Sequence, residues 1–440
     1  LKFNNLQDWL SWQETLHPNE IELGLDRVRL VLKRLLRQEF PQLFPSGDIL
    51  KLPFTLIIVG GTNGKGSTIA FLEAISRASA YKTGCYTSPH FLDYNERICL
   101  DGVPIDDVSL CLAFAAIDSA RGEISITYFE FSTLAAIYYF LQQQCDVAIL
   151  EVGLGGRLDA VNILDADCSL VTTVDLDHQD WLGDNIESIA YEKAGIYRAQ
   201  CPAIYGDTQI PATLSNYSVE IGARLFQVQE HYQYTAQGES WDWQSDVLAC
   251  HYKHLPKPNL PGRLQLKNAS NAIMALTCLS RQLPQVNKKS ISAGLKNCRL
   301  TGRYQAISSA PEVILDVAHN PQAATRLAEY LSENPAAGKT HAIFSILADK
   351  DVQQVVAALS SEIDTWHLFD LDVARALPAE KIANIVSAYT NGSSLTCYNS
   401  FPLAYQSIIE NMSKLEKQQD RIIVFGSFFT VSCALSHFSQ

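Results

Sequence analysis

The seven residues GTNGKGS (61–67) combine glycines, one lysine and one hydroxyl, the residue types that wrap a phosphate. They follow an apolar run, FTLIIV (54–59), and lead into STIAFLEAISRASA, where Ile69, Leu72 and Ile75 recur at helical spacing. A glycine turn between a buried strand and a helix aims backbone N–H groups, the positive helix end and the Lys65 ammonium at one point, so the segment predicts a phosphate cradle. The competing reading, a plain glycine turn with a solvated lysine, is disfavoured by the order strand, turn, helix. The ordinary P-loop expression places Ser or Thr directly after the lysine, whereas here Gly66 stands between Lys65 and Ser67.

In open parallel sheets ligands collect at the carboxyl ends of strands, so polar residues that close apolar runs are the next candidates. DVAILEVG ends in Glu151, and SLVTTVDLDH ends in Asp177 and His178. An acid at one strand end and a hydroxyl after a phosphate loop are the groups that hold magnesium on phosphate oxygens. Taken singly, Glu151 could cap a loop, and His178 could equally be a hydrogen-bonded structural histidine, since magnesium prefers oxygen. GLGGRLDAVN (153–162) fails the dinucleotide pattern GxGxxG, because Leu158 stands where glycine or alanine is needed; it reads as a mobile flap ordered by Arg157 and Asp159. Further on, LDVAHNP (315–321) places Asp316, His319 and Asn320 between a strand and a helix opening at Pro321. Arg303 in LTGRYQ could reach an anion or be an ordinary surface arginine.

The elements that must position these groups alternate as strand-like and helical runs, which is α/β patterning. Strands are expected at 54–59, 146–152 and 169–174, with a helix over 131–141, and again at 312–317, 341–346, 365–369 and 421–425. The polar, aromatic-rich stretch 202–260 suits short antiparallel strands as a peripheral β segment. With 440 residues, two domains are expected, 1–298 and 299–440, the second an open-sheet domain. The charged run 414–420 reads as solvated surface.

Charge is acidic, 34 basic against 47 acidic groups for a net −13, and no basic run exceeds two residues, as at Lys288-Lys289, so no nucleic-acid partner is expected. Eleven cysteines, scattered without a CxxC pair, argue against a disulfide framework or zinc. The opening LKFNNLQDWLSWQ lacks the features of a secretory signal, and no apolar run reaches the roughly 18 residues of a membrane span. A cytoplasmic, monomeric enzyme without a membrane partner is the expectation, and Leu1 in place of methionine suggests a trimmed start.

GTNGKGS is the form carried by the Mur ligase superfamily, ATP-dependent enzymes joining a carboxylate to an amino acid. Taken in order, GTNGKGS (61–67), TSPHFLDYNERI (87–98), TYFEFSTLAA (127–136), LEVGLGGRLDAVNI (150–163), DHQDWLG (177–183), EKAGI (192–196), LTGRYQ (300–305) and LDVAHNP (315–321) resemble the folylpolyglutamate synthase family over nearly the whole chain. LHPNEIELGLDRV (16–28) and ITYFEF (126–131) resemble its bifunctional bacterial branch, which also has dihydrofolate synthase activity.

The resemblance implies a P-loop ATPase-like N-terminal domain and a smaller Rossmann-like C-terminal domain. By motif, it implies that Gly64, Lys65, Gly66 and Ser67 wrap ATP phosphates and that Asn268, Arg303 and Asp316 contact the nucleotide, with Asn271 an alternative to Asn268. It implies magnesium, two ions in all, with one held by Ser67, Ser88, Glu151 and His178. Lys193 matches a lysine that the family carbamylates to support the second ion; Lys65, Lys193 and His178 are thus the catalytic candidates. Dihydropteroate or a folate would lie against Thr127, Tyr128, Phe129 and Glu130 and the flap residues Leu158, Asp159 and Ala160, with the segment at Asp26 closing over it. The implied reaction adds L-glutamate through an acyl phosphate. The rivals are folylpolyglutamate synthase activity alone, a cell-wall Mur ligase and a non-catalytic nucleotide switch. The chain departs from the family at Thr301, where a proline is common, and at 426–430, where a histidine is common.

Overall fold

The apolar runs at 55–60 and 147–151 lack polar alternation, the signature of strands covered on both faces, and nearly every residue in them is buried. The computed structural model describes residues 2–19, 21–44, 52–390, 394–414 and 419–439; positions 415–418 of the charged run lie outside the described residues. The chain divides into two compact units, one of Leu1–Ser88, Asn95–Asn259 and Arg263–Arg299, the other of Pro89–Tyr94, Leu260–Gly262 and Leu300–Gln440. The α/β expectation holds for both.

Among the described residues, the first unit contains strands β1 (Thr55–Gly60), β2 (Thr83–Tyr86), β3 (Ile98–Leu100), β4 (Val103–Pro104), β5 (Val147–Glu151), β6 (Cys168–Val171), β7 (Pro202–Tyr205) and β8 (Arg224–Gln227) in one sheet, ordered β4-β3-β2-β5-β1-β6-β7-β8. All pairings are parallel except those of β3 with β2 and with β4. Strands β9 (Gln233–Gln237), β10 (Ser240–Ser245) and β11 (Cys250–Pro256) form a separate antiparallel sheet. The stretch 202–260 is therefore split: β7 and β8 join the large parallel sheet through the helix Ala212–Glu220, and only β9–β11 have the antiparallel character read from the sequence.

Register aligns the strand ends that matter. Val59 lies opposite Glu151 and Gly60 opposite Val171, so the carboxyl ends of β1, β5 and β6 come abreast. Connections leave β1 toward β2 on one side and β6 toward β7 on the other, which makes this a switch point, where a crevice opens. The helix Lys65–Ala78 buries Ile69, Phe71, Leu72 and Ile75, all at most 2% exposed, each burial worth roughly 1.5–3 kcal/mol.

In the second unit, β12 (Gln305–Ser309), β13 (Glu312–Leu315), β14 (Thr340–Phe344), β15 (Thr365–Phe369), β16 (Ser394–Tyr398) and β17 (Arg421–Phe425) form a sheet ordered β12-β13-β17-β14-β15-β16, parallel but for β12. Side-chain alternation sends Ile314, Ile423 and Phe425 to one core and Val313, Leu315, Ile422 and Val424 to the other. Both faces are covered, as a Rossmann-like sheet requires. No helix among the described residues is long and apolar enough to cross a membrane.

Candidate active site

The helix after β1 begins at Lys65, two residues before the start read from its apolar spacing, with Gly64 as N-cap in the left-handed region at φ 88°. A Cβ there would lie 2.9 Å from Asn268 Oδ1, so glycine meets both a backbone and a packing demand. The first helical bond runs from Thr68 N–H to the Gly64 carbonyl at 3.0 Å. The N–H groups of Lys65, Gly66 and Ser67 precede it and have no partner from within the helix. A Cβ on Gly66 would meet nothing within 4 Å, so the side of the helix's first turn at that residue is open.

The loop is strapped to the chain leaving β6. Thr62 N–H donates to the Thr173 carbonyl at 2.9 Å and Asn63 N–H to Thr173 Oγ1 at 3.0 Å, while Thr172 Oγ1 donates to the Asn63 carbonyl at 2.7 Å. Thr172 and Thr173 were not singled out from the sequence, although they are polar residues closing an apolar run. Lys65 Nζ folds back on the carbonyls of Gly61 and Thr62, at 3.0 and 3.4 Å. Asn268 is buried beside Gly64 and donates to Gln265 Oε1 at 3.2 Å. Asn271 instead accepts from the Tyr232 hydroxyl at 2.8 Å and donates to the Gly206 carbonyl at 3.3 Å, away from the loop.

Glu151 is 6% exposed at the end of β5 and accepts the Ser88 N–H at 3.2 Å; Ser67 is 3% exposed. Glu151 with the hydroxyls of Ser67 and Ser88 is a hard-oxygen donor set, and that chemistry fits magnesium. His178 has left-handed backbone at φ 52°, caps the short helix Gln179–Leu182 and has a side chain 41% exposed. Among the described residues no group of three or more His, Cys, Asp or Glu is arranged for a metal, so any such site draws on the serines.

Lys193 is 5% exposed near the end of the helix Ile186–Ala194. Burial, reinforced by the Lys65 charge and opposed by Asp177 and Asp159, brings its amine down to about 7. The flap is tied to this helix, because Arg157 donates to Glu192 Oε1 at 2.8 Å and its N–H to the Glu192 carbonyl at 2.7 Å. Asp159 is buried, its carboxylate accepting the N–H groups of Gly153, Leu154 and Val161 at 2.8–3.0 Å, and burial raises it to about 6. Ala160 follows in a buried 3-10 turn, and the Leu158 carbonyl accepts the Gly24 N–H at 3.3 Å. The flap is thus a bonded structure, a firmer element than its glycines suggested.

Thr127 and Glu130 form a capping box at the helix Tyr128–Gln142, with Glu130 N–H on Thr127 Oγ1 at 3.2 Å and Thr127 N–H on Glu130 Oε2 at 2.8 Å. Arg27 Nε also donates to Glu130 Oε2, at 3.0 Å. Tyr128 lies under the Arg97 guanidinium at 5.7 Å, and the Phe129 ring fills the space beside Gly153 in the flap. Asp26, exposed, opens the helix Asp26–Glu39.

In the second unit, buried Asp316 accepts the N–H groups of Tyr304 and Ala318 at 3.0 and 2.8 Å; burial raises its carboxyl and the nearby Arg303 lowers it. The Arg303 guanidinium lies 5.8 Å over Phe428. His319 Nδ1 bonds the Val317 carbonyl at 2.7 Å, and Asn320 caps the helix Pro321–Glu333.

Residues 59–279 match the Mur ligase middle domain and residues 302–428 the Mur ligase, glutamate ligase domain. With a phosphate-type loop at a parallel-sheet switch point, these matches define an ATP-dependent ligase of the Mur type. The dihydrofolate synthase/folylpolyglutamate synthase of Escherichia coli strain K12 is 40% identical over 427 residues, 97% of this chain and 94% of that protein. Among solved structures, E. coli FolC in complex with DHPP and ADP superposes with a TM-score of 0.89 at 38% identity, over 99% of this chain and 98% of that one. The bifunctional folylpolyglutamate synthase/dihydrofolate synthase of Yersinia pestis, complexed with AMPPNP and Mn ion, gives 0.87 at 37%, again over 99% and 98%. The chain belongs to the dihydrofolate synthase/folylpolyglutamate synthase family.

Proposed function

We propose that this chain uses ATP to ligate L-glutamate to 7,8-dihydropteroate, forming dihydrofolate, and adds further glutamates to reduced folates. The observation that carries the reading is the head of β1, where the N–H groups of Lys65, Gly66 and Ser67 open a helix without a partner from within it and the Lys65 ammonium folds over the same loop, at a switch point whose neighbouring strand ends in Glu151. A carboxylate is a poor acylating agent, so the substrate carboxylate attacks the γ-phosphate, releasing ADP and forming an acyl phosphate. The glutamate amine then displaces phosphate. Lys65 and the loop N–H groups hold the phosphates and meet the charge that develops on the transferred group. Ser67, Ser88, Glu151 and His178 would hold one magnesium ion and a carbamylated Lys193 a second, and the ions would supply charge neutralisation at the phosphoryl oxygens.

Asn268, Arg303 and Asp316 contact the nucleotide in this reading. The pterin lies against Tyr128, Phe129 and the flap at Leu158, Asp159 and Ala160, with Thr127 and Glu130 bracing that wall through their cap and Asp26 at its margin. The test is product mass analysis after incubation with ATP, glutamate and either dihydropteroate or a reduced folate. Mass increments of one glutamate on both acceptors are expected. Increments on the folate alone would reduce the function to chain elongation, and ADP release without glutamate would sink the ligase.

A further inference from the structure

Two threonine hydroxyls converge on one carbonyl oxygen of the loop after β1. Thr172 Oγ1 donates to the Asn63 carbonyl at 2.7 Å and Thr173 Oγ1 to the same oxygen at 3.1 Å, and both threonines are buried. Neighbouring residues of a strand face opposite ways, so this convergence needs the chain to have left the strand, and β6 ends at Val171. The other acceptor near the Thr172 hydroxyl, the Gly60 carbonyl, is farther away at 3.2 Å. A Cβ on Gly61 would collide with that hydroxyl, so a glycine is what lets it reach Asn63. On the other side of the same peptide unit, Asn63 N–H donates to Thr173 Oγ1 at 3.0 Å, and Thr62 is pinned to the same segment by its own N–H on the Thr173 carbonyl.

In a planar trans peptide the carbonyl and the following N–H point in opposite directions. Holding the Asn63 carbonyl toward the two threonines therefore turns the Gly64 N–H the other way, and among the described residues no hydrogen bond holds that N–H within the protein. Gly64 sits at φ 88°, and glycine takes positive or negative φ about equally well, so the backbone does not by itself decide which way this peptide faces. We propose that Thr172 and Thr173 are positioning residues that set the direction of the Asn63–Gly64 peptide, so that the loop offers the phosphates of the nucleotide the Gly64 N–H and not the Asn63 carbonyl. The inference rests on the nucleotide-dependent function proposed above. The reversed peptide would aim a carbonyl dipole at an anion, so the two hydroxyls act on the nucleotide through the loop backbone.

The test titrates ADP with magnesium into wild type, Thr172→Val, Thr173→Val, the double valine variant and Thr172→Ser, by calorimetry, which needs neither acceptor nor glutamate. Valine keeps the branched shape and removes the donor. Either hydroxyl alone holds the carbonyl in part, so Thr172→Val should weaken ADP about 5-fold, Thr173→Val about 3-fold and the double variant on the order of 10²-fold, more than the product of the singles. Thr172→Ser should bind within about 2-fold of wild type. In turnover, KM for ATP should rise in the same order while KM for the acceptor changes less than about 2-fold, a split that a general loosening of the fold would not give. Melting temperatures identify a variant that fails to fold, and the remaining valine single then carries the comparison with Thr172→Ser. A double variant that binds ADP like wild type, or a serine variant as weak as the valine, overturns the assignment. Wild type that binds no ADP sinks the nucleotide reading and this inference with it, an outcome distinct from variants that bind as well as an ADP-binding wild type.

Discussion

Lys193 lies buried within electrostatic reach of Lys65, and burial with that neighbouring charge brings its amine from the ordinary 10.5 to about 7. Only a neutral amine attacks CO2, forming the N–C bond of a carbamate and releasing a proton. An exposed lysine is almost wholly protonated at neutral pH, whereas one at about 7 is half neutral there. The same burial leaves a cation poorly placed, so exchange for a carbamate anion relieves a repulsion with Lys65 that the protonated amine would suffer.

Enzyme stripped of CO2 should therefore lose most activity and regain it when CO2 is restored at pH 8. Because the amine's value in the fold is depressed, its neutral fraction falls as pH drops through 7, to about a tenth at pH 6. Recovery at a fixed CO2 concentration should slow in proportion. Lys193→Ala should be nearly inactive and partly rescued by a short carboxylic acid such as acetate. Full activity of that variant without any acid would exclude the carbamate.

Lys65→Ala should lower kcat by on the order of 10²- to 10³-fold, the loss of about 3–4 kcal/mol of transition-state stabilisation. Lys65 also bonds the carbonyls of Gly61 and Thr62, so the variant's melting temperature separates a relaxed loop from lost catalysis. A small drop in Tm with near-normal turnover would leave Lys65 a structural role alone.

The strand, glycine turn and helix were legible because every determinant is local: an apolar strand, glycines and a helical repeat within the 22 residues 54–75. The loop's supports were not. Thr172 and Thr173 meet the loop only through the pairing of β1 with β6, and nothing near Asn63 announces them. The choice between Asn268 and Asn271, one helical turn apart, depends on which faces Gly64, a matter of helix docking. Strands β7 and β8 were misread because four residues each, PAIY and RLFQ, are too short to show a period. Glu130 was named from its place in a motif; its cap with Thr127 is local to the T-x-x-E pattern, and only its pairing with Arg27 depends on where helix Asp26–Glu39 is placed.

Asp159→Asn separates the flap's scaffold from its chemistry. One carboxylate oxygen accepts Gly153 and Leu154 N–H and the other accepts Val161 N–H. An amide keeps only one acceptor oxygen, leaving a buried donor unmet at a cost of about 1–3 kcal/mol. The wild-type carboxyl is raised to about 6, so its contribution to stability is fullest below the unfolded value near 3.8 and declines as pH rises through 6. Urea unfolding at pH 5 and pH 8 should show that decline in wild type and its absence in the variant.

In the second unit a polar chain crosses one face of the sheet: Asp420 Oδ2 to His341 Nε2 at 3.1 Å, His341 Nδ1 to Thr365 Oγ1 at 2.5 Å, Thr365 Oγ1 to His367 Nε2 at 3.3 Å, and His367 Nδ1 to the Tyr398 hydroxyl at 3.1 Å. Burial first, and the facing His341 second, hold His367 down to about 4. The unfolded chain binds a proton near 6.5 that the fold refuses until about 4, so stability from this group is present above 6.5 and is lost as pH falls across that window. The full difference amounts to about 3 kcal/mol. His367→Gln removes the titrating ring, and its urea midpoint should fall less between pH 7 and pH 4.5 than that of wild type. Parallel pH profiles would mean that His367 does not carry the acid sensitivity of this unit.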